Sequence, residues 1–128
     1  MDKAAFERGM ATRRKVMGEG HVAKRGASKD RFTAQHQEVM TAIAWGEIWS
    51  RPGLDLKTRS LVVLGMLTAL NREDELRGHV NGALNNGATP DEIYEVFVHA
   101  AGYCGFPASN GAVRLAVEVF REQGLLKE

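Results

Sequence analysis

Arg72, Glu75 and His79 stand three and four residues apart in NREDELRGH, the spacing that puts three side chains on one stripe of a helix. A guanidinium, a carboxylate and an imidazole on one stripe can grip a carboxylate, tune a proton and deliver it near neutral pH. An acid and a histidine so spaced are also an ordinary solvated pair, so spacing alone does not make a site. Arg51, in the turn-forming Arg51-Pro52-Gly53, and Arg59 add two guanidiniums nearby in sequence. The turn can aim Arg51 at a fixed spot, because proline fixes its own φ and restricts the residue before it. Trp45 and Trp49, four apart, share a helix face and read as core or interface anchors, with a substrate wall as the other reading. Glu47, two residues from each, points elsewhere and is a second acid candidate. His21 sits in GEGHVAKRGASK, glycine- and lysine-rich, which reads as an exposed loop or an arm reaching over a neighbour. His36, among polar residues, reads as exposed, and His99 as surface or interface. Cys104 reads as a packed small hydrophobe, since no cation stands beside it in sequence.

The elements that must position these groups are helices. Asp55 can cap a helix starting near Leu56, and Leu61 to Leu70 is apolar almost all the way round, so it must be enclosed. Ten residues are too few to cross a bilayer, which leaves protein as the enclosure. Asn71 reads as a break and a new cap, followed by Glu73, Asp74 and Glu75, whose charge suits the positive end of the next helix. Before this pair, Asp2 to Met17 predicts an amphipathic helix with Phe6, Met10 and Met17 on one face and Gly18 as its stop. Phe32 to Trp49 predicts another, capped by Thr33, with Phe32, Val39, Met40, Ile43, Ala44 and Ile48 near helical periodicity. After the pair, Asn86-Gly87 is a stop, and Thr89-Pro90-Asp91-Glu92 supplies a capping box with proline at the first helical position. Ile93, Val96, Phe97 and Ala100 mark that helix's buried stripe. Pro107 opens the last helix, where Ala112, Leu115, Ala116, Val119 and Phe120 form one face and Arg114, Glu118 and Arg121 a solvated one. No stretch alternates with period two, so the fold class is all-α, with about six helices.

The chain's 128 residues suit one domain, 1–128, with an N-terminal helix and arm over 1–30 and a helical core over 31–128. At 44% hydrophobic and formal charge +1, it is too apolar for a disordered chain and too balanced for an electrostatic nucleic-acid binder. No membrane partner is implied either. The first residues lack a continuous apolar segment and the chain has one cysteine, so the cytoplasm is the expected compartment. Six helices, one of them apolar on all sides, leave too little chain to cover every apolar surface, and a homo-oligomer is expected.

The stretches AWGEIWSRPGLDLKTRS, ALNREDELRGHV, NNGATPDEIYEV and YCGFPASNGA resemble the carboxymuconolactone decarboxylase family over nearly the whole chain. That resemblance implies an alkylhydroperoxidase-D-like helical fold in a closed cyclic assembly, commonly a hexamer built as a trimer of dimers. It implies loss of carbon dioxide from 4-carboxymuconolactone to give 3-oxoadipate enol-lactone, in the protocatechuate branch of the β-ketoadipate pathway. The leaving carboxylate's electrons flow through a double bond into the lactone carbonyl, so the chemistry calls for no cofactor and no metal. Neither a glycine-rich phosphate loop nor paired metal ligands stand in the sequence. What the protein must supply is cations for two carboxylates, a donor for the developing oxyanion and an acid to protonate carbon. On that chemistry His79 is the candidate proton donor, with Glu75 setting its tautomer or sharing the transfer and Glu47 as a second acid. Arg72, Arg51 and Arg59 are candidates to bind the carboxylates, and Trp45 to wall the pocket. His21 joins them because Gly-x-x-His-Val after an Arg-Arg helix is similar to the family's N-terminal segment.

The wider superfamily includes thiol-dependent peroxidases with a Glu, a C-x-x-C pair and a downstream His. Here the two cysteine positions hold Arg72 and Glu75 and the upstream Glu position holds Ser60, so no such disulfide can form within a subunit. That reading is the enzymatic alternative, and a catalytically inert, ligand-binding helical oligomer is the third.

Overall fold

The structure, a computed structural model, describes residues 2–27 and 30–128. Among them the chain is helical and holds no strand, in the order α1 (Lys3–Met17), α2 (Glu19–Gly26), α3 (Arg31–Met40), a π-helix (Thr41–Trp49), α4 (Leu56–Leu70), α5 (Glu73–Asn85), α6 (Pro90–Cys104) and α7 (Phe106–Glu122). The all-α expectation holds, with two more elements than expected. The contacts fall into two compact units, one ending at Leu56 and one running Lys57–Glu128. α1 packs most extensively on the π-helix.

In the first unit, Asp2 caps α1 by accepting from the amides of Ala4 and Ala5 at 3.0 and 3.4 Å. Gly18 ends α1 with φ +91°, as expected. The buried face is Ala5, Gly9, Arg13 and Val16, whereas the expected Phe6, Met10 and Met17 are only half-buried. Small residues win that face because the two backbones touch there. A Cβ on Gly9 would overlap the carbonyl oxygen of Thr41, and one on Gly46 the carbonyl oxygen of Ala5. The segment expected to be a loop is corrected: Glu19–Gly26 is helical and buries Val22. Its continuation through Ser28 and Lys29 lies outside the described residues.

The cap of α3 is Asp30, which accepts from the amide of Thr33 at 2.7 Å, so Thr33 receives the cap rather than supplying it. The single helix expected over Phe32–Trp49 changes at Thr41 from α to the wider π form, whose i→i+5 bonding rotates the faces. Thr41, Ala42, Trp45, Gly46 and Trp49 are buried. Phe32, Val39, Ile43 and Ile48 are exposed, which overturns the face read with α periodicity.

In the second unit, α4 starts at Leu56 as expected. Asn71 breaks the chain with φ +56°, and the N-cap of α5 falls one residue later than expected, on Arg72, without a side-chain capping bond. The core gathers Leu64, Leu76, Val80, Ile93, Phe97 and Val119, each contributing roughly 1.5–3 kcal/mol by leaving water. Thr89 caps α6 with both bonds of a capping box, 2.9 and 3.1 Å. The buried face of α7 includes all five residues expected there. Its charged side pairs outward rather than along itself: Arg77 of α5 reaches Glu118 and Glu122, and Arg121 donates to the carbonyl of Glu128. α4 buries only Ser60, Leu64 and Thr68 and leaves Val62, Met66 and Leu70 exposed, so this chain does not enclose the apolar stretch 61–70. Among the described residues, no helix is long and apolar enough to cross a membrane.

Candidate functional site

Helix α5 sets the geometry. Leu76, Val80 and Ala83 are buried and fix the helix's rotation against the core, which leaves His79 at the edge of the buried stripe and Glu75 one turn away toward solvent. His79 is half-buried with its Nδ1 atom fully covered, so what exposure the ring retains lies at its other atoms. Glu75 and Arg72 are exposed. A half-buried imidazole next to an exposed carboxylate can exchange a proton with a bound molecule while its orientation is held by the core side.

Arg59, on the first turns of α4, is half-buried with its Nε covered. The next residue, Ser60, is fully buried and accepts a hydrogen bond from Asn86 Nδ2 at 2.9 Å. That bond ties the start of α4 to the C-cap of α5, and with it the helices that carry Arg59 and His79. Sequence reading finds Asn86 only as a helix stop; a hydroxyl such as that of Ser60 needs a partner once buried, but which partner it takes has no local signal.

Trp45, Glu47, Arg51 and His21 belong to the first unit. Trp45 and Trp49 are buried and stack at 4.8 Å with 23° between their planes, the core-anchor arrangement. Ser50 donates to the Trp45 carbonyl at 2.7 Å and lies 2.8 Å from the Thr12 hydroxyl. Glu47 is exposed and pairs with Arg8 at 3.4 Å, while Arg8 Nε donates to the Gly46 carbonyl at 2.9 Å. Glu47 thus joins α1 to the π-helix. Arg51 is exposed in the turn that follows, its amide donating to the Ile48 carbonyl at 3.1 Å. His21 is half-buried on α2, not on a solvated loop. Burial first, then the charges of Arg25, Arg13 and Lys24, hold its imidazolium form below the ordinary histidine range.

His36 and His99 are exposed, as expected. His99 contacts the Tyr103 ring at 5.4 Å and borders an apolar groove of about 780 Å³ along α4 and α6. Cys104 lines the same groove and is exposed, which corrects the packed reading. It closes α6, where the chain turns at Gly105 with φ +90°. Among the described residues, no cluster of three or more His, Cys, Asp or Glu is arranged to hold a metal ion.

Residues 34–118 match the model of the carboxymuconolactone decarboxylase family. A 4-carboxymuconolactone decarboxylase of Acinetobacter baylyi is 44% identical over 127 residues, 99% of this chain and 95% of that protein. A nitrosuccinic acid decarboxylase of Metarhizium robertsii is 42% identical over 108 residues, 84% of this chain and 76% of that protein. An uncharacterized protein of Paracoccus denitrificans is 36% identical over 86 residues, 66% of this chain and 64% of that protein.

Proposed function

The chain belongs to the carboxymuconolactone decarboxylase family, and from that premise we propose that it is a carboxy-lyase converting 4-carboxymuconolactone to 3-oxoadipate enol-lactone and carbon dioxide. The observation that carries this reading is the 44% identity over 99% of the chain to a protein of that activity. In the substrate, the carbon–carboxylate bond breaks and its electron pair passes through the ring double bond into the lactone carbonyl, giving a dienolate. Re-forming the carbonyl as a proton arrives at the carbon beside it yields the enol-lactone. The substrate is its own electron sink, and the protein's work is to bind two carboxylates, stabilise an oxyanion and place one proton.

In this mechanism His79 protonates the dienolate carbon, and Glu75, one turn away on α5, sets its tautomer or shares the proton. Arg72, Arg59 and Arg51 bind carboxylate and lactone oxygens through their forked donors. A guanidinium holding the departing carboxylate too tightly would favour the ground state. The arginines therefore act on the acetate arm and the lactone oxygen. Trp45 and His21 complete the proposed substrate contacts, and Glu47 is the reserve acid.

A second substrate is favoured by the nitrosuccinic acid decarboxylase relative. Nitrosuccinic acid is also a dicarboxylic acid, with a carboxylate beside a group that can take up an electron pair, so the same cations and acid would serve. We also propose that copies of the chain assemble, as a hexamer built from three dimers, because Val62, Met66 and Leu70 expose an apolar stripe of α4. Light scattering on the purified protein reads the assembly size directly.

The test is an ultraviolet assay with freshly generated 4-carboxymuconolactone and, in parallel, nitrosuccinate, on wild type and His79→Ala of unchanged assembly size. Turnover of the lactone that drops roughly a hundredfold or more in the variant supports reaction and acid together. Turnover of nitrosuccinate alone moves the substrate assignment, and turnover untouched by the substitution removes His79 as the acid. Activity retained after alkylation of Cys104 removes the thiol-dependent alternative.

A further inference from the structure

The first unit holds a buried guanidinium that the proposed chemistry does not use. Arg13 is 4% exposed, and its partners are neutral: the Thr41 hydroxyl at 3.0 Å and the Gln37 amide oxygen at 2.8 Å. Among the described residues neither Arg13 nor Arg25 has a carboxylate within ion-pair distance. A buried cation without a counter-charge is costly, because hydrogen bonds to neutral groups offset only part of its lost hydration. Both arginines line a cavity of about 180 Å³ between α1, α2 and α3, whose walls include Gln37, Thr41 and the apolar Phe6 and Met10. Lys24 adds to the positive field on α2. Burial and the Arg25 charge push the Arg13 guanidinium down from its ordinary range, and the same two arginines act on His21.

From this cavity we infer that the chain has an anion site, in which a carboxylate enters between Arg13 and Arg25. Glu38 also lines the cavity, and its charge selects against a dianion such as phosphate. The volume admits a group of a few heavy atoms, and a planar carboxylate matches the two parallel donors of a guanidinium. The carboxylate is either that of a free small acid or one borne by the substrate.

The experiment uses the full chain in its native assembly and acetate as the probe. Sodium acetate is titrated at fixed total sodium while the His21 imidazole resonances and the melting temperature are followed in wild type, Arg25→Gln and Arg13→Lys. Arg25 is exposed, so its substitution leaves the fold intact, and Arg13→Lys keeps the charge while removing the fork. The expected result is saturable stabilisation with an upward shift of the His21 midpoint, and acetate binding weakened about tenfold or more in both variants. If acetate acts on wild type no more than chloride does, or Arg25→Gln responds as wild type does, the site is overturned. Steady-state inhibition then separates the sources: acetate competitive with the lactone identifies the substrate's own carboxylate, and non-competitive acetate identifies a separate small acid.

Discussion

Gly46 lies so close to Ala5 that a single added methyl group would overlap the Ala5 carbonyl oxygen. Gly9 stands in the same relation to Thr41, and its missing Cβ also faces the amide of Gly46 at 2.7 Å. These reciprocal contacts place α1 against the π-helix, so the position of Trp45 and Glu47 depends on two residues that carry no chemistry.

Gly46→Ala should therefore unfold or loosen the first unit, at a cost of about 3 kcal/mol or more, since backbone on both sides cannot yield as a side chain would. Denaturant unfolding followed by tryptophan fluorescence reads this directly, because Trp45 and Trp49 flank the contact. Gly20→Ala, where a Cβ meets nothing within 4 Å, is the control and should leave stability unchanged or slightly raised. A Gly46→Ala protein as stable as wild type would sink the close-packing argument.

The start of α6 offers a second test. Thr89 and Glu92 cap each other reciprocally, and the second carboxylate oxygen of Glu92 meets Lys57 Nζ at 2.7 Å. Thr89→Ala should cost about 1 kcal/mol. The hydrogen bond from Lys57, followed by those from Thr89, holds the Glu92 carboxyl below its ordinary 4.5. The stability it contributes is complete above 4.5 and is lost as pH falls through the lower folded value, because the unfolded chain binds the proton first. Unfolding midpoints of wild type and Glu92→Gln should thus differ at neutral pH and converge in acid; a constant difference would show that the charge is not what matters.

His21 gives a pH dependence at higher pH. Its folded value is depressed from 6.5 by burial and by Arg25, Arg13 and Lys24, with Glu38 on the cavity wall the only carboxylate among the residues lining it. Between the depressed value and 6.5 the unfolded state carries a proton that the folded state lacks, so stability decreases as pH falls below 6.5. Nuclear magnetic resonance titration should find the His21 midpoint below 6.5. Arg25→Gln should raise it. A midpoint at the ordinary value would mean that the α2 cations do not act on the ring.

Much of this architecture was readable where a local rule had no competitor. Thr89-Pro90-Asp91-Glu92 specifies a helix start through its own atoms, and Gly18 and Gly87 stop helices through a positive φ that few residues tolerate. The misreadings share one cause, an assumption about which neighbour a face would meet. Ile43 and Ile48 looked buried on an α-helical wheel, but the π-helix rotates Trp45 and Gly46 inward. Phe6 and Met10 looked like the core of α1, but a glycine contact needs the smallest residues at the interface. Glu75 and His79 were legible as a pair by spacing, whereas Ser60 and Asn86 were not, because the bond joining them spans 26 residues and has no local signature.

The two candidate acids can be separated by charge-removing substitutions. Glu75 is one helical turn from His79, and among the described residues no ion pair takes its charge; Glu47 is held by Arg8, whose Nε also fixes the Gly46 carbonyl. Under the proposed mechanism Glu75→Gln should lower kcat about tenfold to a hundredfold and shift the pH profile, because the imidazole loses the group that tunes its proton. Glu47→Gln should change kcat by no more than about threefold, since an exposed ion pair of this kind contributes only about 0–1 kcal/mol to stability. Steady-state kinetics across pH on the two variants decides between them. The reverse pattern, a large loss at Glu47 and an unchanged profile at Glu75, would transfer the proton chemistry to the π-helix and leave His79 without its partner.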